Sequence, residues 1–255
     1  MPIPFPDVVE LPSGLKLETL FTAPTETLSS GSSGLSKKLA VCLHPWSRLG
    51  GNMHDPVLAS IVRPLVQEGH FHVLRYNSRG VRRSSGWASF TGFQEAEDLK
   101  EFVNYAIEAL GSVKEVAIIG YSNGSLPASL HPVLPEPIRT SHILISYPVG
   151  PRAFLTLFNS GVYQCRLQEL LQQPRAHILL QYGDQDEFTG ITSYERWLEQ
   201  LNSAAQTASG SLDGVLGPPI GGAFRQVRVN GASHFWSGSA GRKMVQEIIS
   251  FLREA

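Results

Sequence analysis

The chain has 255 residues, 42% of them hydrophobic and 17% charged, and its formal net charge is −1. That length suits one domain of the larger α/β kind, with residues enough for a sizeable core. So even a charge balance offers no electrostatic basis for holding nucleic acid or an anionic membrane surface. The two cysteines, Cys42 and Cys165, make no disulfide framework and read as small buried hydrophobes. No run approaches the ~18 to 20 apolar residues of a membrane span. The opening MPIPFPDVVELPSG has neither the basic nor the apolar stretch of a secretion signal, so a cytoplasmic enzyme is expected.

Residues 1–14 are proline-rich and turn-like and read as an arm. From Leu15 to Phe21 apolar and charged residues alternate, which predicts a half-exposed edge strand. Leu28 to Ser36 (LSSGSSGLS) reads as a loop, because too little chain precedes it to form a separate core. Leu39 to Leu43 is a buried strand, followed by the loop His44-Pro45-Trp46-Ser47-Arg48-Leu49-Gly50-Gly51. Asp55 can cap a helix that starts at Pro56 and runs to about Glu68, kinked or shortened by Pro64.

A strand at Phe71 to Tyr76 leads into the turn Asn77-Ser78-Arg79-Gly80. A helix from about Gln94 to Leu110 carries Leu99, Phe102, Val103, Ala106, Ile107 and Leu110 on one stripe. Further strands are expected at Val116 to Ile119, Ser141 to Ser146, Ala176 to Tyr182 and Phe224 to Val229. Helices are expected at Ser193 to Leu201 and Arg242 to Arg253. Residues 151–174 look largely helical and are a candidate small cap over the sheet, while 202–222 read as a loop insertion. Strands alternating with helices imply βαβ units and a mostly parallel sheet covered on both faces.

The chemistry concentrates at three strand ends. Val116 to Ile119 runs into Gly120-Tyr121-Ser122-Asn123-Gly124 and then a short helical run. This is the strand, G-x-S-x-G, helix order of a nucleophile elbow, in which side chains at the flanking positions would clash in so sharp a turn. A serine hydroxyl needs a base, and the base needs an orienting acid. Gly183-Asp184-Gln185-Asp186-Glu187 follows one strand, and Gly231-Ala232-Ser233-His234 follows another. In a parallel sheet such loops gather outside the carboxyl ends. Ser122, Asp186 and His234 are therefore the candidate catalytic residues, with Asp184 second and Glu187 third as the acid. The backbone N–H of Asn123 and one from the loop after Leu43 would form an oxyanion hole. Pro45 has no N–H, so Trp46 is the first choice there and Ser47 the next.

His44 reads as a hydrogen-bonded fixer of its loop. Arg79, Arg82 and Arg83 are either a site for an anionic substrate or, as loop arginines usually are, solvated or paired with acids. No metal-ligand spacing or nucleotide loop is present, so no metal and no cofactor is expected.

The elbow, Gly183-x-x-Asp186 and Gly231-x-x-His234, in that order, resemble the α/β-hydrolase superfamily from about Leu39 onward. The His44-Pro45…Gly50-Gly51 loop with Arg79-Gly80-Val81-x-x-Ser84 is similar to its small, nearly lidless members related to dienelactone-hydrolase-like proteins. The resemblance implies a central, mostly parallel twisted sheet of about eight strands with helices on both faces and a Ser122–His234–Asp186 triad. Two positions depart from it: Pro45 and Arg82 stand where relatives commonly have glycine. The expected activity is hydrolysis of a carboxylic ester, lactone or thioester on a small-molecule acyl substrate. The same residues would also serve acyl transfer, amide or peptide cleavage, or a biosynthetic cyclase or lyase. A non-catalytic ligand-binding protein on this fold usually has a damaged triad, whereas all three side chains are present here. Acyl size and oligomeric state are not encoded in any pattern we can read.

Overall fold

The structure, a computed structural model, describes residues 5–25, 36–209 and 223–254. Its eight strands are β1 (Val8–Glu10), β2 (Lys16–Thr22), β3 (Lys37–Leu43), β4 (Phe71–Tyr76), β5 (Val113–Tyr121), β6 (Arg139–Ile145), β7 (His177–Gln185) and β8 (Ala223–Ser233). They form one sheet in the order β1-β2-β4-β3-β5-β6-β7-β8. β1 and β2 pair antiparallel, as do β2 and β4, and every other neighbour is parallel. The sheet is the eight-stranded, mostly parallel one expected.

Alternation along the inner strands sends side chains to two cores. Leu39, Val41, Leu43, Val116 and Ile118 join one, while Ala40, Cys42, Ala117, Ile119 and Tyr121 join the other. Helix α1 (Pro56–Gln67) and α7 (Gly238–Glu254) cover the second face with Leu58, Ile61, Leu65, Met244 and Ile248. The first face is covered by α2 (Phe93–Leu110), α3 (Ser125–Leu130), α5 (Ser160–Leu171) and α6 (Ile191–Ser209); α4 (Arg152–Leu155) is a single turn. Asp55 caps α1 by accepting from the Val57 N–H at 2.8 Å, and the helix runs on through Pro64 to Gln67.

Several boundaries differ from expectation. β2 is not an edge strand, because the three-residue β1 pairs outside it, Val9 opposite Leu17. So short a strand carries no readable period. Residues 202–209, expected as loop, extend α6, whose Ala-Ala-Gln-Thr-Ala run is helix-forming. Residues 210–222 of that expected insertion lie outside the described residues, as do 28–35 of the earlier loop. Cys165 is exposed rather than buried. Among the described residues, no helix is long and apolar enough to cross a membrane.

β7 and β8 also run further than their apolar cores suggested, and this positions the site. A Cβ on Gly183 would lie 2.0 Å from the Ala232 carbonyl oxygen, so only glycine lets the two strand ends close. Asp184 then accepts from the Gly231 N–H at 2.7 Å and pairs with Arg228 at 3.2 Å. The paired extension carries Asp186 and Ser233-His234 to the same rim.

Candidate active site

At the end of β5 the chain reverses through Ser122, whose φ is +52°, into a 3-10 turn (Ser122–Gly124) and α3. Steric demand for the two glycines is direct. A Cβ on Gly120 would lie 2.5 Å from the Gly124 oxygen and the Ser125 Cα, and one on Gly124 would lie 2.5 Å from the Leu43 oxygen. The left-handed backbone at a non-glycine residue is strained by about 1–3 kcal/mol, held by the packing on either side.

This turn presents the hydroxyl of Ser122 to His234. Ser122 Oγ lies 2.9 Å from His234 Nε2, and His234 Nδ1 lies 2.8 Å from Asp186 Oδ2. All three residues are buried. The other oxygen of Asp186 accepts from the Phe188 and Thr189 N–H groups, both at 2.9 Å. Burial would raise the Asp186 carboxyl pKa. The hydrogen bond and charge of His234, with the two N–H donors, outweigh it and leave the carboxyl below its ordinary value. The structure thus brings Ser122, His234 and Asp186 into one hydrogen-bonded chain. Asp184 is spent on the β7–β8 closure, and Glu187 accepts instead from the backbone N–H of His234 at 2.8 Å.

Sequence reasoning missed what fixes the imidazole from behind. Tyr121 donates its hydroxyl to the His234 carbonyl at 2.9 Å, so both backbone polar groups of the histidine are tied. The Phe188 ring stands edge-on to the imidazole with centroids 4.6 Å apart. Tyr121 alternates to the α1/α7 face of β5, and that parity was the available signal.

The loop after β3 lies across the elbow. His44 is buried; its Nδ1–H donates to the Pro45 oxygen at 2.6 Å, and its Nε2 accepts from the Ser78 N–H at 3.0 Å. Burial pushes its pKa down to about 4, so it is a neutral loop-fixer, as its sequence context suggested. Gly50 has a φ of +90° and open space around it, whereas Gly51 is closely packed. A Cβ on Gly51 would lie 2.2 Å from the Pro45 oxygen, so the loop folds on itself. Trp46 borders both the cavity that holds Ser122 and His234 and the adjoining groove that holds Asn123. Among the described residues its N–H has no hydrogen-bond partner.

That cavity measures about 220 Å³ and has mainly apolar walls, including Trp46, Pro148, Phe154 and Phe188. Pro151, Phe154 and Leu155 come from the stretch at 151–174 expected to be helical. Two of the three arginines in the cluster are engaged elsewhere, and Arg82 is exposed. Arg79 makes two 2.6 Å bonds to Asp98, and Arg83 lies 3.9 Å from Glu18. These pairings fit the ordinary reading of loop arginines and leave an anionic-substrate role unsupported. Among the described residues no three His, Cys, Asp or Glu side chains are grouped to hold a metal ion.

No protein-family model matches the chain, and no curated protein matches it in sequence. Solved structures do match in shape. A serine hydrolase without a lid from Xanthomonas campestris is 22% identical, with a TM-score of 0.65 over 97% of this chain and 90% of that one. Est1E from Butyrivibrio proteoclasticus, solved with ferulic acid bound, is 15% identical, with a TM-score of 0.69 over 97% and 98%. An esterase from Pyrococcus furiosus is 15% identical, with a TM-score of 0.67 over 97% and 89%. These shapes agree over 97% of the chain, and the chain has the α/β-hydrolase fold.

Proposed function

We propose that the protein is a serine hydrolase that cleaves a carboxylic ester, lactone or thioester through an acyl-enzyme on Ser122. The observation that carries this reading is the continuous chain from Ser122 Oγ to His234 Nε2 and from His234 Nδ1 to Asp186 Oδ2, at 2.9 and 2.8 Å. His234 takes the hydroxyl proton as Oγ bonds to the acyl carbon. Asp186 holds the proton on Nδ1 and stabilises the imidazolium. The oxyanion is held by the N–H groups of Asn123 and Trp46. His234 then returns the proton to the leaving alkoxide or thiolate. In the second half, water gives its proton to Nε2, its oxygen bonds the acyl carbon, and Ser122 recovers its hydrogen as the acid departs.

The test is labelling by a fluorophosphonate with hydrolysis of simple aryl esters. Wild-type protein should label on Ser122 and turn over esters. Ser122→Ala should lose labelling and at least about 10³-fold in kcat/KM. Full activity in that variant ends the proposal.

A further inference from the structure

The cavity beside Ser122 is not uniformly apolar. Asp55, the residue that caps α1, lies in its lining with Tyr121, Ser122 and His234. Among the described residues it is the only carboxylate there, and no lysine or arginine joins it. We infer that Asp55 sets the charge preference of the site, admitting small apolar acyl substrates that are neutral or cationic and rejecting those that carry a carboxylate. This rests on the proposed reaction for its kinetic readout but not for its physical basis.

Capping alone does not require a charge. Asparagine caps a helix as well as aspartate does, so the carboxylate supplies a property the helix does not need. Asp55 is half-buried, and burial raises its pKa by withholding water from the charged form, while the Val57 and Leu58 N–H groups and then the His234 charge act the other way. A charge short of water at the wall of a small, mainly apolar chamber is weakly screened. A second negative charge brought into that chamber meets it at short range. At a separation of about 6–8 Å and an intermediate dielectric, the repulsion amounts to roughly tenfold or more in binding. The volume also bounds the substrate. At about 220 Å³ the cavity falls below the roughly 300–1,000 Å³ of sites for drug-sized ligands, which suits a short chain or a single ring.

The experiment compares three 4-nitrophenyl esters of matched acyl length, whose far ends are methyl, carboxylate and trimethylammonium. For wild-type protein at low salt, kcat/KM should be at least about tenfold lower for the carboxylate than for the methyl ester, and no lower for the cation. Raising the salt should narrow the gap. Asp55→Asn should bring the carboxylate and methyl values within about threefold of each other, and Asp55→Glu should restore the gap. A purely structural role for Asp55 would move all three esters together. A ratio that Asp55→Asn and salt leave unchanged, or a wild-type preference for the carboxylate ester, overturns the assignment.

A second arm needs no turnover. In Ser122→Ala protein, calorimetry should find hexylammonium binding about tenfold or more tighter than hexanoate, and adding Asp55→Asn should abolish the difference. Should wild-type protein hydrolyse no ester while this binding preference holds, the proposed reaction falls and the role of Asp55 stands. Ester hydrolysis without any charge preference would leave the reaction standing and overturn the role of Asp55.

Discussion

Two hollows among the described residues border the same kinds of side chain, and in only one of them are serine, histidine and carboxylate joined in a hydrogen-bonded chain. A wide hollow of about 610 Å³ lies between α2 and the α3–α5 side, lined by Ser129, His131, Glu97 and Glu169 among others. Serine, histidine and carboxylate are all present, yet none is linked as in the smaller cavity. Ser129 donates to the Leu126 carbonyl of its own helix at 2.7 Å, and His131 Nδ1 meets the Pro132 oxygen at 2.7 Å. Behind it His142 Nε2 meets the His131 oxygen at 2.9 Å. Backbone carbonyls take the place that Asp186 occupies beside His234. Burial then lowers His131 to about 4 and His142 to about 3, so both stay neutral without becoming proton acceptors for a nucleophile. Composition does not make the site; the partner of each nitrogen does.

The sharpest way to break this contrast is at the acid. Asp186→Asn should lower kcat on an aryl ester by about 10³- to 10⁴-fold, because the wrong imidazole tautomer would face Ser122. Asp184→Asn, which loosens only the β7–β8 closure, should cost less than about tenfold, and steady-state rates of the two variants decide between them. Equal losses would mean that the Asp186–His234 bond has no special part. Ser129→Ala and His131→Gln, in the wide hollow, should leave kcat/KM close to that of the wild type.

A smaller effect should appear in stability against pH. His44, His131 and His142 have folded pKa values below the ordinary 6.5, so between pH 6.5 and about 4 the unfolded chain binds more protons than the folded one. Stability is therefore full above about pH 6.5 and falls with acid, by up to about 1.4 kcal/mol per pH unit for each histidine. Asp186, lowered in the fold, adds a loss at still lower pH as it protonates. Urea midpoints from pH 7.5 to 4.5 measure this. His142→Gln should reduce the slope by about one-third, and a flat profile in the wild type would contradict the burial of these rings.

The smallest effect isolates strain at the elbow. Ser122→Gly removes the penalty of a positive φ at a residue with a Cβ, so it should stabilise the fold by about 1 kcal/mol. Thermal unfolding should shift upward by about 2–4 °C while fluorophosphonate labelling disappears. A lower midpoint would show that the serine is not held against its backbone preference.

Much of the fold was legible because its signals are local. The apolar runs of β3, β5 and β6, the stripe of α2 and the Asp55-Pro56 start of α1 each arise from neighbours within a few residues. The three-residue β1 and the full length of α6 were not, since one is too short for a period and the other depends on a weakly patterned polar stretch. Glycine spacing at 120 and 124 was readable as steric need, although the contact of Gly51 with its own loop was not.

By itself, the order of residues along the chain determined that a serine, an acid and a histidine would stand at the ends of strands, because strand periodicity and turn residues are written side by side. It put Asp186 ahead of Asp184 and Glu187 as the acid but did not decide which would meet His234. That depended on the closing of β7 against β8, which turns Asp184 toward Gly231 and Arg228 and Asp186 toward the imidazole. Contacts spanning 48 and 112 residues hold the three groups together, and a hydrogen bond over such a separation exists only once the sheet has brought its loops to one rim.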